Sequence, residues 1–301
     1  MKTGALMINK IIILAILIAL SLGTACSKPK KTLPLDSVYE NNRNLIRLTL
    51  KDTLYRNLSV RGLPAPQTGV PPIQLNIFDF DHTLVDTRTR IPVQRSDKSR
   101  GFLDPKCIVL NSGDIPDFAV FDTEDTFQYP IVQPGFERLK EVSKKETVIV
   151  MTARSSSGTY SMVPAYLSLR GVVIDGVLAV NSEILKTGIW DHLRLPEGMK
   201  KLPSGAKKPL LIAGIIELYQ SLGHSPELVR YMEDTDSYFS VAFEFLPRRF
   251  PNIRFEFYDY LRNGYLYTEV LAARASGGLL ENLVPKNYTG GVYDSGDCAG
   301  F

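Results

Sequence analysis

A chain of 301 residues, 44% hydrophobic and 22% charged, carries enough apolar material for a sizeable core and does not have the composition of a chain disordered throughout. Its formal net charge of +3 is too small to imply a stable nucleic-acid partner, and Lys28, Lys30 and Lys31 lie in the N-terminal leader or tether. Charge therefore selects no macromolecular partner.

The chain opens with Lys2 and Lys10, an apolar run from Ile11 to Leu22, and the small residues Gly23, Thr24 and Ala25 before Cys26. This is the layout of a secretory signal, with an apolar core short for a membrane span. Export to the periplasm is the expectation for residues 1–26. Small residues directly before Cys26, followed by Ser27 and a Lys/Pro tether, also resemble a bacterial lipoprotein signal, in which Cys26 is lipidated and tethers the protein to the membrane. Gly23 stands where an aliphatic residue is usual, and cleavage after Ala25 to leave a soluble periplasmic protein is the alternative. An oxidising compartment permits a disulfide between Cys107 and Cys298, although two cysteines in a core this large are more often independent.

Residues 27–72 read as a tether and an N-terminal helical extension, with Leu45, Leu48 and Leu50 interspersed among Arg and Lys and a Pro/Gly-rich linker over 62–72. The main domain is expected over 73–280. Its first strand, Leu75 to Phe78, is an apolar run that emerges into Asp79 and Asp81. In an extended chain these two carboxylates face the same space while Phe78 and Phe80 face the other side. Two carboxylates aimed at one site repel, so the pair asks for a divalent cation or a shared proton.

Between Thr87 and Pro130 no period of two or 3.6 is sustained, which suggests an inserted small cap over about 88–130. Its first part holds Arg88, Arg90, Arg95, Lys98 and Arg100 against Asp97 alone. This is a candidate cationic rim for a second anionic group, or equally a solvated surface run. Pro134-Gly135 opens a helix with Phe136, Leu139 and Val142 on one face. The apolar strand from Thr147 to Met151 ends in Thr152-Ala153-Arg154, a helix over 158–170 stops at Gly171, and Val172 to Val180 reads as a strand. Pro209 is expected to start a helix through about Leu222. A strand Val229 to Met232 then runs into Glu233-Asp234, followed by a helix from Asp236, which caps it, to Pro247. Two strands flank Asn263-Gly264, the favoured two-residue hairpin turn. Residues 281–301 read as a loose tail. Alternating buried strands and helices specify an α/β fold, a doubly wound parallel sheet with a small cap insertion and an antiparallel edge hairpin.

The run Asp79-Phe80-Asp81-His82-Thr83-Leu84 after an apolar strand resembles the first motif of the haloacid dehalogenase superfamily, in its Mg2+-dependent phosphatase branch, with His82 where Gly is usual. Thr152 at a strand end resembles the second motif, although alone such a Thr is ordinarily a helix cap. Lys208-Pro209 and Glu233-Asp234 resemble the third and fourth in order and spacing. The resemblance covers about residues 73–245. It implies Asp79 as nucleophile, Asp81 as general acid/base, Thr152 and Lys208 as phosphate ligands, and Mg2+ held by Asp79, Asp81, Asp234 and Glu233. Lys207 competes with Lys208 for the motif position. Arg88 and Arg90 would contact substrate, and a weak likeness to polynucleotide kinase/phosphatase domains makes nucleotides the leading candidates among small-molecule phosphate esters. A dehalogenase would not need Asp81 or the metal, and a mutase would show a larger cap. The alternative from another class is a noncatalytic envelope lipoprotein that keeps the fold as a scaffold.

Overall fold

In the computed structural model the described residues are 35–55, 61–65, 68–69, 71–103, 111–122, 124–202, 204–263, 266–276 and 279–282. Cys26, Cys107, Cys298, residues 1–26 with the expected signal, and the last nineteen positions, 283–301, lie outside them. The chain runs α1 (Leu35–Tyr55), β1 (Ile73–Phe78), β2 (Ile91–Gln94), β3 (Arg100–Leu103), β4 (Ile115–Pro116), α2 (Gln133–Val142), β5 (Thr147–Thr152), α3 (Thr159–Ser168), β6 (Gly176–Ala179), α4 (Glu183–Gly188), α5 (Ser204–Ser221), β7 (Pro226–Glu233), α6 (Asp236–Arg249), β8 (Arg254–Asn263), β9 (Leu266–Ser276) and β10 (Leu279–Asn282). Short 3-10 turns occupy Phe118–Asp122, Glu124–Gln128 and Trp190–His192.

A seven-stranded sheet has the order β10-β9-β8-β7-β1-β5-β6. The strands β8, β7, β1, β5 and β6 are mutually parallel, and β9 and β10 add an antiparallel edge. These parallel strands are apolar on both sides because both sides are covered. Phe78, Val148, Val150, Val177 and Met232 pack with Phe136 and Leu139 of α2 and Val163 and Tyr166 of α3. The alternate residues Ile77, Ile149, Leu178, Val229 and Tyr231 are equally buried. Gly176 meets Leu54 of α1, and Gly214 of α5 meets Ile46 and Leu50 of α1, so close that a Cβ at Gly214 would stand 2.6 Å from either. From β1 the chain winds outward through β5 and β6, then returns to the other side of β1 as β7 and β8. The winding reverses between β1 and β7, the place in an open α/β sheet where ligands bind at the carboxyl ends of strands.

The insertion leaves and returns at one point. Asp86 N–H donates to Pro130 O at 2.8 Å and Val132 N–H to Leu84 O at 2.9 Å. Between these ends β3, β2 and β4 form a separate three-stranded antiparallel sheet, whose inner residues Ile91, Val93 and Leu103 pack on Phe118 and Phe121. Strands of four, four and two residues are too short to print a period in the sequence.

Several local expectations differ from the structure. The helix in the segment set apart as an extension is integral to the domain: α1 buries Leu35, Val38, Tyr39, Asn42, Ile46, Leu50 and Leu54, while Leu48 is 60% exposed. Asn42 interrupts the apolar stripe and is satisfied by Arg194, accepting from its N–H at 2.7 Å and donating to its carbonyl at 3.0 Å. β6 is confined to Gly176–Ala179. α5 begins at Ser204 and α6 continues to Arg249, so Pro209 and Pro247 lie inside helices. Proline's fixed φ suits a helix, but each ring forgoes its own N–H bond and crowds the carbonyl four residues back, a cost of about 3 kcal/mol that the surrounding packing outweighs. The N-cap of α6 is Thr235 and not Asp236. Asn263 pairs with Leu266 at the end of the β8–β9 ladder, and Gly264 of the expected Asn263-Gly264 turn lies outside the described residues.

Candidate active site

The carboxyl ends of β1, β5 and β7 and the second turn of α5 bring six side chains together. Asp79 and Asp81 follow β1, Thr152 closes β5, Glu233 closes β7 with Asp234 next, and Lys208 comes from α5. The loop after β1 is held tightly, with Leu84 and Val85 N–H both donating to Phe80 O at 3.0 Å. His82 makes the turn with φ 63, the left-handed conformation that glycine adopts without strain and that costs a side-chain-bearing residue about 1–2 kcal/mol. α2 starts against this loop: a Cβ on Gly135 would lie 2.0 Å from Thr83 O, so only glycine permits that approach.

Of the two neighbouring lysines, Lys208 is the one that reaches the carboxylates. Its Nζ lies 2.6 Å from Asp79 Oδ1 and 2.6 Å from Glu233 Oε2, and 4.6 Å from the Tyr238 ring centroid, with the whole residue only 1% exposed. The expected helix start at Pro209 placed Lys208 ahead of an N-terminus; it sits inside α5 instead, and its ammonium rather than the helix end meets the carboxylates. Lys207 points elsewhere, donating to Asn181 Oδ1 at 2.7 Å beside Trp190. Glu233 is fully buried and also accepts from Tyr231 OH at 2.6 Å and from Thr235 N–H at 3.2 Å. Asp79, Glu233 and half-buried Asp234 each offer an oxygen within 4.8 Å of the others.

Asp81 has a different environment. Arg154 grips it side-on, Nη2 to Oδ1 at 2.8 Å and Nε to Oδ2 at 3.0 Å. Thr87 donates to Oδ1 at 2.5 Å and Thr152 to Oδ2 at 3.0 Å. Thr152 is thus in the site, through its hydroxyl on Asp81.

The electrostatics separate the two aspartates. Burial raises the Asp79 carboxyl to about 8, with Lys208 opposing the rise and Glu233 and Asp81 adding to it. Burial works against charge on Asp81 as well, yet the Arg154 guanidinium and the Thr87 hydroxyl hold it well below the usual carboxylate range. Burial, then repulsion from Asp79 and Glu233, pushes Asp234 well up. Burial disfavours the charged form of Lys208, but Asp79 and Glu233 more than offset it and keep the ammonium protonated. Three carboxyls around one ammonium cannot all ionise without surplus negative charge, in keeping with the upward shifts of Asp79 and Asp234, and an all-oxygen donor set of this kind suits a hard dication.

Arg88 and Arg90 are on the rim, outside the buried cluster. Arg88 donates to buried Asp86 at 2.7 Å through both Nε and Nη2, while Arg90 is exposed and Arg95 is taken by Asp114 at 2.7 Å. Sequence reasoning missed Arg154, Thr87 and Tyr231 as site residues. For Arg154 the signal was present: in an extended segment it is two residues from Thr152 and faces the same way. A scan against protein-family models, a search of curated proteins and a search of solved structures each found no match.

Proposed function

We propose that this chain is an Mg2+-dependent phosphatase of the haloacid dehalogenase type, hydrolysing phosphate monoesters through an aspartyl-phosphate on Asp79. The observation that carries the reading is the convergence of Asp79, Asp81, Thr152, Lys208, Glu233 and Asp234 at the carboxyl ends of β1, β5 and β7, where the winding reverses. The four segments that resemble family motifs in sequence meet at that edge.

Asp79 and Asp234, with Glu233 and the Asp81 carbonyl in support, would hold Mg2+, which when bound supplies positive charge to a phosphoryl oxygen and favours the ionised nucleophile. Asp79 attacks phosphorus as the bond to the leaving oxygen breaks, and Asp81 gives that oxygen its proton. Asp81, now a carboxylate, takes a proton from water; the hydroxide attacks phosphorus and releases phosphate and Asp79. Lys208 stays on Asp79 and offsets charge on the transferring group, and Thr152 fixes Asp81 from below.

Nucleotides or other small organic phosphates are the substrate class, with Arg90 better placed than Arg88 to read a second anionic group because Asp86 already neutralises Arg88. Export, with Cys26 as lipid anchor, belongs to the same reading and is supported by the sequence of residues 1–26; among the described residues no helix is long and apolar enough to cross a membrane. Phosphate release from p-nitrophenyl phosphate by residues 27–301 should require Mg2+ and vanish in Asp79→Asn with circular dichroism unchanged. Undiminished turnover by that variant, or none by the wild type across a panel of phosphate esters, would overturn the proposal, the second result favouring the scaffold alternative.

A further inference from the structure

Arg154 is nearly inaccessible, its side chain 2% exposed against 24% for its partner Asp81. Nε and Nη2 are committed to the two oxygens of Asp81. Nη1 points the opposite way, into the insertion, where it donates to Phe121 O and reaches Thr126 Oγ1 at 3.4 Å. The guanidinium carbon lies 5.0 Å from the Phe80 ring centroid, on the loop after β1, and 5.5 Å from that of Phe121, in the insertion. Thr126 also donates to Phe121 O at 2.9 Å, fixing the carbonyl that Arg154 uses. One planar cation therefore spans the acid/base carboxylate and the cap segment 118–126.

A lysine in this place would serve as a point charge; arginine's fork matches both carboxylate oxygens and still has a nitrogen left for a third direction. We propose that Arg154 is the positioning residue for Asp81, and that through it the packing of the cap segment sets the direction in which Asp81 meets the leaving group. This deepens the phosphatase reading and rests on it. Asp81 acts by moving a proton to the departing oxygen while the Asp79–phosphorus bond forms and the phosphorus–oxygen bond breaks. Misalignment should therefore harm esters whose leaving group needs that proton. It should spare that phosphoryl-transfer step for esters whose leaving group departs as a stable anion.

The test compares an alkyl phosphate such as glycerol phosphate with p-nitrophenyl phosphate, using the full mature chain with Mg2+. Proton transfer by a positioned group is worth about 100-fold or more, so Arg154→Lys should cut kcat/KM, which reads phosphoryl transfer to Asp79, by about 100-fold for the alkyl ester and leave it within a few-fold for the aryl ester, while the shared hydrolysis of the aspartyl-phosphate slows equally for both. Because breaking a buried pair can unfold a protein, Thr126→Val is the companion: it keeps Arg154 and Asp81 and removes only the hydroxyl that braces the cap end. It should lower kcat/KM for the alkyl ester selectively, by a smaller factor. Equal losses in kcat/KM on the two esters in Arg154→Lys would make the ion pair merely structural and overturn the proposal. No selective loss in Thr126→Val would overturn the link to the cap. Absence of turnover by the wild type on either ester would remove the phosphatase reading and this inference together.

Discussion

Replacing Lys208 by Met keeps most of the buried stem and removes the ammonium that sits 2.6 Å from both Asp79 and Glu233. What remains is three carboxylates in one pocket, two of them almost without solvent. Breaking a buried ion pair by deleting one partner typically costs about 3–5 kcal/mol because the other charge is left uncompensated. For a domain of this size each kcal/mol moves Tm by about 2–4 °C, so the metal-free variant should melt roughly 6–20 °C below wild type. A dication that binds the folded state at a hundred times its Kd returns about 2.7 kcal/mol. It should bind the variant more tightly, since the ammonium no longer repels it. Scanning calorimetry of both proteins in EDTA and then in excess Mg2+ checks both halves. The expected pattern is a large deficit in EDTA and a Mg2+-induced gain in Tm that is greater for Lys208→Met than for wild type. A variant melting with wild type in EDTA, or gaining less from Mg2+, would refute the charge balance assigned to this cluster.

Gly135→Ala should destabilise by about 1–3 kcal/mol through overpacking; because the clash is with the Thr83 carbonyl, kcat should fall too, measured on p-nitrophenyl phosphate well below the variant's Tm. Gly214→Val drives a side chain into Ile46 and Leu50 and should lift α1 off α5, seen as a drop in Tm and faster amide exchange over 35–55. Arg90→Ala should raise KM for nucleoside monophosphates, but not for p-nitrophenyl phosphate, and less so at high salt. Arg88→Ala should instead lower Tm, by leaving the buried Asp86 without its fork.

The strand carrying Asp79 and Asp81 was legible because its signal is local: an apolar run buried on both faces, then two carboxylates with period two. Thr152, Lys208, Glu233 and Asp234 were legible for the same reason, each standing next to an apolar strand or helix. What escaped depended on contacts distant in sequence. Arg154 carries a local hint in standing two residues past Thr152, but only the fold sets it against Asp81 and Phe121. The stripe of α1 looks weak because Asn42 occupies a core position, and nothing local says that the Arg194 backbone satisfies it. Pro209 and Pro247 look like boundaries, yet the helices run through them, since tertiary packing outweighs a single missing hydrogen bond.

Asp79 and Asp81 share a loop and are separated by one residue, yet their surroundings drive them in opposite directions. In this structure Asp79 is raised and Asp81 lowered, whereas the proposed reaction needs Asp79 ionised and Asp81 carrying a proton. Under that proposal the ligands would supply the reversal: a bound dication would favour the charged form of Asp79, and a phosphate dianion beside Asp81 would disfavour its charge and compete for the cations that stabilise it. The two buried cations divide the pair between them: Lys208 lies 2.6 Å from both Asp79 and Glu233, and Arg154 holds both oxygens of Asp81, so each aspartate has its own counterion.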